Sequence, residues 1–137
     1  MKKSVNIILA CLLILLGIVS YRSSRPRALD QCFPQGPWES VAVRSFSPVA
    51  GETVSGYALD MSARELREAM AGVTVFRGQK AEGRTGPSIS LEIAVGGQQM
   101  LAEIGEDGTV ALCDSQARWT WWRALDGKLY QRLTEQW

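Results

Sequence analysis

The sequence predicts an α+β fold, in which an N-terminal apolar helix precedes a small domain with a curved antiparallel β-meander and one packed helix. Three observations predict it: an apolar run over residues 5–19, a capped amphipathic segment at about 62–71, and short runs of alternating polarity separated by turn residues. The expected organisation is a signal-anchor or signal peptide (1–21), a basic proline-containing linker (22–37) and a single extracytoplasmic domain (38–137).

The leader begins with Lys2 and Lys3 and continues through eighteen mostly apolar residues, 4–21. A helix of that length reaches roughly 27 Å, slightly less than a hydrocarbon core of about 30 Å. Flanking lysine and arginine side chains can snorkel to the headgroups and let such a helix span. We therefore expect residues 4–21 to attach the protein to a membrane as an uncleaved anchor.

Two other kinds of leader remain as alternatives. A cleaved secretory signal fits the basic start and apolar centre, but no A-x-A cleavage pattern follows. A lipoprotein signal is suggested by residues 8–11, Ile-Leu-Ala-Cys, which resemble the bacterial lipobox and would make Cys11 the lipidated residue. In a lipobox the cysteine closes the apolar region, whereas here the apolar run continues to Val19, so an ordinary cysteine in a helix is favoured.

Charge is divided unevenly along the chain. Residues 1–27 hold five of the 15 basic side chains and no acidic one, so the rest holds 10 basic and all 14 acidic side chains, a net charge of −4. A mildly acidic domain lacks the basic surface of a nucleic-acid binder. We expect no nucleic-acid partner, and we expect the basic segment after the leader to lie against phospholipid headgroups.

The helix in the domain is indicated by its ends and by its periodicity. Ser62 and Glu65 form a capping box, and Gly72 is suited to the C-terminal cap. Leu66 and Met70 lie on one apolar stripe with Ala69 between them. The pattern predicts a helix that packs on a sheet.

The strands are indicated by alternation and by hairpin turns. Residues 88–95 alternate strictly in polarity, Gly96-Gly97 is a two-residue hairpin signal, and turns are expected at 106–108 and 126–127. The segments 38–46, 54–59 and 73–76 are further strand candidates, while 77–87 is predicted to be a loop. The meander is thus predicted over 88–95, 98–104, 109–113, 118–124 and 128–133.

Two cysteines lie outside the leader. Cys32 and Cys113 are widely spaced and fit one disulfide that joins the start of the domain to its last strands. Such a bond needs an oxidising compartment, which favours a periplasmic domain on a single-pass inner-membrane anchor; a secreted protein or lipoprotein is the alternative. Two unpaired buried thiols in a cytosolic domain remain the competing interpretation.

Catalytic and metal-binding patterns are not found in the sequence. The chain has no histidine, which removes the usual general base and the commonest transition-metal ligand. It also lacks C-x-x-C, P-loop and dinucleotide-binding patterns. We expect no metal, no cofactor and no enzymatic activity.

The segment from Arg118 to Arg123 holds three of the five tryptophans. On a strand, Trp119 and Trp121 would face one way and Trp122 the other. In the structural interpretation two tryptophans fill the core and an arginine stem covers the third; in the functional one they form an aromatic patch for a partner. The candidate binding residues are Arg118, Trp119, Trp121, Trp122, Arg123 and Tyr130.

These expectations combine into one hypothesis. The protein is expected to be a membrane-tethered periplasmic interaction module, an accessory subunit or inhibitor in an envelope complex with a protein partner. A domain that binds a small hydrophobic ligand or lipid on the concave face of the sheet is the alternative. A cavity above about 300 Å³ lined by Met100, Leu112 and Trp119 would favour that alternative.

Overall fold

The computed structural model describes residues 2–48, 53–79, 86–135 and 137, with side chains for all of these except 20–24. The α+β class is confirmed: an N-terminal helix precedes a seven-stranded antiparallel sheet and two further helices. The helices are α1 (Lys2–Ser24), α2 (Ala63–Ala71) and α3 (Lys128–Thr134), with a short 3-10 helix at Leu29–Cys32. The strands are β1 (Arg27–Ala28), β2 (Trp38–Ser47), β3 (Thr74–Arg77), β4 (Ser88–Val95), β5 (Gln98–Gly105), β6 (Thr109–Cys113) and β7 (Trp119–Ala124).

Helix α1 carries the apolar leader. Its stretch Lys2–Val19 has a mean hydropathy of 2.1 and none of it is buried in the protein, so by length and composition it could cross a membrane or serve as a signal sequence. The helix continues past the apolar run to Ser24, and its 23 residues reach about 34 Å. That length exceeds the roughly 27 Å expected from residues 4–21 alone and is enough to cross a hydrocarbon core.

The sheet is open, with β1 and β2 at its two edges and the order β1-β3-β7-β6-β5-β4-β2. From β4 to β7 each strand pairs with the next through a tight turn, as the meander predicts. The expected Gly96-Gly97 hairpin is present, and both glycines have positive φ values, 55° and 78°, which a residue with a Cβ rarely adopts. The curvature of the sheet stays a prediction.

The two faces of the sheet differ. The inner face carries the core with α2 and α3, and its buried residues include Val75, Ile89, Leu91, Ile93, Met100, Ala102, Val110, Leu112, Trp122 and Ala124. Strand register places the alternate residues on the outer face, among them Phe76, Leu101, Ala111, Cys113, Trp119, Trp121 and Arg123. Within the described residues, the buried side chains of α2 and α3 all belong to the inner-face core.

The predicted helix forms as expected. Its N-cap Ser62 accepts a hydrogen bond at Oγ from the backbone N–H of Glu65, at 3.1 Å, and Gly72 occupies the C-cap. Leu66, Ala69 and Met70 are buried against the sheet and the 3-10 helix. The amphipathic pattern therefore predicted both the boundaries and the packed face.

The last predicted strand, 128–133, is wrong, as is the hairpin turn at 126–127. Residues 128–134 form α3, because Leu129 and Leu133 are four residues apart and lie on one helical face with Tyr130, all three buried. The Asp126 carboxylate accepts a hydrogen bond from the Lys128 backbone N–H at 3.1 Å, at the start of this helix. The short segment carried a helical period that a strand assignment overlooked.

The predicted strand 54–59 is also wrong. Only Val54 pairs, through reciprocal backbone hydrogen bonds of 2.9 and 2.8 Å with Phe46. Gly56 then has a φ of +94°, which takes the chain out of the extended conformation. Tyr57 turns back over the inner face and packs edge-on against Phe46 with ring centroids 5.3 Å apart.

The segment 22–37 is structured where an irregular linker was expected. It holds the end of α1, the two-residue strand β1 and the 3-10 helix, and it places Leu29 and Phe33 in the core. The backbone N–H of Leu29 also bonds the carbonyl of Val73 at 2.8 Å. The prolines at 26, 34 and 37 lie just outside these short elements, so they do not interrupt them. Of the predicted loop 77–87, residues 80–85 lie outside the described residues.

Candidate functional site

Strand β7 distributes its side chains over both faces of the sheet. It pairs with β6 so that Trp119 lies opposite Cys113, Trp121 opposite Ala111 and Trp122 opposite Val110. The first two pairs lie on the outer face and the third on the inner face. The alternation expected from the sequence is therefore present, with one tryptophan in the core and two outside it.

Trp122 is part of the core. It is 6% exposed, and its indole N–H donates to the hydroxyl of Thr120 at 3.2 Å. The guanidinium carbons of Arg27 and Arg77 lie 5.7 and 5.3 Å from its ring centroid. The structural interpretation expected two tryptophans in the core and an arginine stem over the third. Instead only Trp122 is buried, and the arginines of β1 and β3 lie over this core ring and not over the two outer ones. Trp122 therefore packs in the core next to β3 and is not part of an exposed patch.

Trp119 and Trp121 form the exposed aromatic pair. Their ring centroids are 5.6 Å apart and the planes differ by 7°, so the indoles are stacked on the outer face. Trp119 is 40% exposed and Trp121 is half-buried. Beneath them Ala111 and Cys113 are buried, although the buried side chains of α2 and α3 all pack on the other face. The two tryptophans thus contribute to the burial of Ala111 and Cys113 on this face.

Phe76 and Arg123 extend this surface toward the β3 edge. They are paired across β3 and β7, and both are exposed. A groove of about 710 Å³ lies beside them, also lined by Thr109 and by Leu125, which is 76% exposed. The outer-face patch, defined as Phe76, Trp119, Trp121 and Arg123, thus combines apolar rings with a cation and an adjacent groove.

Arg118 is held at the end of this patch by a turn. Its guanidinium Nε donates to Asp114 Oδ2 at 3.0 Å, and its backbone N–H donates to Asp114 Oδ1 at 3.0 Å. These hydrogen bonds, the backbone one first, hold the pKa of the Asp114 carboxyl below its usual value. The turn fixes the start of β7, and with it the position of Trp119.

Tyr130 does not join the patch. It lies on α3, is 8% exposed and packs near Phe46 with ring centroids 6.5 Å apart. Burial raises the pKa of its hydroxyl. The assignment of Tyr130 to an adjacent strand placed it on the wrong element, and the helical period of Leu129 and Leu133 is the signal that would have corrected it.

The predicted disulfide is not formed, and Cys11, Cys32 and Cys113 are all free thiols. Cys32 packs against the inner-face core, whereas Cys113 lies on the outer face beside Trp119. The sheet thus separates the two side chains, which disulfide geometry does not tolerate. Burial raises the pKa of Cys32 to about 11 and also raises that of Cys113, so neither thiol is activated.

The inner face offers little room for a small ligand. Its core side chains are packed, and Leu91, Ile93 and Leu112 are 0 to 1% exposed. A cleft of about 320 Å³ touches Met100 and Leu112 at one end of the sheet, but Trp119, the third expected lining residue, lies on the opposite face. Among the described residues no cluster of three or more Cys, Asp or Glu side chains is arranged to hold a metal ion.

Comparison of the chain with protein-family models, curated proteins and solved structures finds no match, so its function has to be argued from the geometry of these surfaces.

Proposed function

We propose that this protein is a membrane-tethered interaction module whose domain binds a protein partner through the outer-face patch. The observation that carries the proposal is the stacked pair Trp119 and Trp121 on the sheet face opposite to α2 and α3. Interfaces favour tryptophan and arginine at their centres, because these side chains bury a large area and keep a polar handle. Binding of a partner would bury the exposed indole surface of this pair.

The chemistry of the patch favours a particular kind of partner surface. Arg123 stands beside Phe76, and among the described residues no carboxylate forms an ion pair with it. An apolar segment of the partner that carries an acidic side chain would cover the indoles and neutralise this cation. The groove next to Leu125 is large enough to receive one apolar side chain. The filled inner face favours this function over ligand carriage.

We place the domain in the periplasm, as part of an envelope complex in which it acts as an accessory subunit or inhibitor. This placement rests on the leader alone, where Lys2 and Lys3 precede the apolar run as in exported proteins. The free thiols remove the support that a disulfide would have given. Helix α1 is long enough to remain as a single-pass anchor.

The membrane placement is tested by labelling from one side. Ser115 is exposed in the turn before β7, so Ser115→Cys, with the three native cysteines replaced by serine, gives one accessible thiol. In intact spheroplasts a membrane-impermeant maleimide is expected to label it without lysis. Labelling that requires lysis would place the domain in the cytoplasm and contradict the periplasmic assignment.

The binding proposal is tested by purifying the full chain from native membranes in mild detergent. Trp119→Ala with Trp121→Ala is expected to lose a co-purifying protein that the unmodified chain retains. Tyr57→Ala is the matched control, since it removes an aromatic ring of similar exposure, 37%, from a different surface. Retention of the same protein by the double variant would contradict the assignment of the patch.

A further inference from the structure

The chain leaves the apolar helix and enters the sheet within very few residues. Helix α1 ends at Ser24 and β1 begins at Arg27, so only Arg25 and Pro26 separate them. Three residue steps span about 10 Å at most. Arg27 pairs with Val75 of β3, and Leu29 is fully buried, so the domain is joined firmly to this point. If α1 spans a bilayer, the β1–β3 edge lies at its headgroup layer.

A cleft lies at this junction. It has a volume of about 580 Å³ and is lined by Arg25, Pro26, Arg27 and Gln31. Both arginines and the glutamine are exposed, and their side chains are hydrogen-bond donors suited to phosphate oxygens. The cleft therefore combines positive charge with donor groups at the place where the chain meets the membrane.

A further cation, Arg77, shares a tryptophan ring with Arg27 of this cleft and itself lines the groove of about 710 Å³. Arg77 of β3 and Arg27 both direct their guanidinium groups at the Trp122 ring, at 5.3 and 5.7 Å from its centroid. No carboxylate in the described part of the chain forms an ion pair with Arg27, Arg77 or Arg25. Like charges gathered at one edge repel each other, and an anion bound between them would relieve that repulsion.

Asp30 is the one acidic residue within 22–37, but it does not form an ion pair with the arginines of the cleft. Its Oδ1 is buried without a hydrogen-bond partner, and the residue lines a neighbouring cleft of about 510 Å³ that shares Gln31 with the junction cleft and also contains Arg67. No ion pair is recorded from Asp30 to Arg25, Arg27 or Arg77. Among the described residues, therefore, no carboxylate pairs with the arginines of the junction cleft.

We propose that the cleft of Arg25, Arg27 and Gln31, with Arg77 beside it, binds the phosphate headgroup of an anionic phospholipid. The lipid is one from the leaflet at which α1 ends, and the inference rests on the proposed membrane tether. Bound lipid would fix the β1–β3 edge on the bilayer. Because β7 follows β3 in the sheet, the patch of Trp119 and Trp121 would then be held at a set height above the membrane.

The experiment uses the full chain in mild detergent and measures retained lipids by native mass spectrometry. Phosphatidylglycerol is expected to remain bound in preference to phosphatidylcholine, and the preference is expected to weaken as salt rises. Arg25→Gln should reduce the preference roughly fivefold, because that is the contribution of one arginine to the affinity for an anionic lipid surface. Arg77→Gln provides a second variant on a different strand. Arg132→Gln on α3, exposed and far along the chain, is the control and should leave the preference unchanged.

Three outcomes would overturn the proposal. Equal retention of the two lipids would show no headgroup recognition, and an unchanged preference in both Arg25→Gln and Arg77→Gln would show that the cleft is not the site. Displacement of the lipid by soluble glycerophosphate at equal concentration would identify a site for free phosphates instead of membrane lipid. Carbonate extraction of the chain from native membranes is measured in parallel. Release of the chain by carbonate would show that α1 does not anchor it in the membrane, which contradicts the proposed tether and not the lipid site in the cleft.

Discussion

Trp119 and Trp121 stack with ring centroids 5.6 Å apart and planes 7° from parallel, on the sheet face opposite the two packed helices. Residues two apart on a strand share a face, so this arrangement follows from the extended conformation of β7. The stack leaves one broad indole surface exposed next to Arg123. A partner that covers it would remove apolar area from water without disturbing the core, which lies on the other face.

Trp122 and Trp119 are predicted to differ in their effect on folding. Trp122→Ala removes a ring that is 6% exposed and packed in the core, so it should lower the free energy of unfolding by about 3–5 kcal/mol. Trp119→Ala removes a ring that is 40% exposed and should cost about 1 kcal/mol, mostly the stacking contact. Urea unfolding of the full chain in detergent measures both changes. Similar losses in the two variants would contradict the assignment of Trp122 to the core and Trp119 to the surface.

Cys113 is predicted to be shielded by the tryptophan stack. It lies directly opposite Trp119 across β6 and β7 and is 6% exposed. In a chain that carries Cys11→Ser and Cys32→Ser, Trp119→Ala should increase the rate at which a maleimide labels Cys113. Tyr57→Ala, on a different surface, should not change the rate. An equal rate with and without Trp119 would mean that another group covers the thiol.

All three cysteines are predicted to be free thiols in the purified protein. The sheet lies between Cys32 and Cys113, so a bond between them would require the fold to rearrange. Alkylation under denaturing conditions without reductant should therefore attach three labels, and reductant should leave the melting temperature unchanged. If the chain accepts only one label and its unlabelled mass is two units below that of the fully reduced chain, two cysteines form a disulfide and this account is wrong.

Asp114 is predicted to make the turn before β7 sensitive to acid. Hydrogen bonds from the backbone N–H groups of Arg118 and Gln116 lower its pKa below the usual 3.8, so folding favours the charged carboxylate. Its contribution to stability is complete above that usual value and is lost as the pH falls through the lowered pKa. Asp114→Asn should flatten the decline in unfolding free energy below about pH 4. Ser115→Ala, at an exposed position of the same turn, is the control and should retain the unmodified slope.

Much of the fold could be predicted from the sequence because the strongest elements carry local signals. The helix at Ala63–Ala71 has a cap at each end and one apolar stripe, and the hairpin at Gly96-Gly97 needs positive φ values that glycine supplies. Strand β4 alternates without interruption. In each case the local preference agrees with the packing, so the prediction needed no knowledge of distant contacts.

The remaining elements depend on contacts that the sequence does not reveal. Strand β1 has only two residues and forms because Arg27 and Ala28 pair with β3, nearly fifty residues later in the chain. Helix α3 is a different case, because the i, i+4 spacing of Leu129 and Leu133 is a local helical signal, and the strand prediction followed the Asp126-Gly127 turn signal instead. Dependence on distant contacts also limits how much of the outer-face patch the sequence predicts. Trp119 and Trp121 could be predicted from their spacing, whereas the contribution of Phe76 depends on the pairing of β3 with β7.

The central claim is that the outer face of the sheet is a protein-binding surface, and site-specific photocrosslinking in native membranes tests it most directly. A photoreactive residue replaces Leu101, which lies opposite Cys113 on the outer face, or Gln131, which is exposed on α3. The account predicts one discrete protein adduct from position 101, its loss when Trp119→Ala and Trp121→Ala are added, and no such adduct from position 131. The same adduct from both positions, or an adduct from position 101 that survives loss of the two tryptophans, would contradict it.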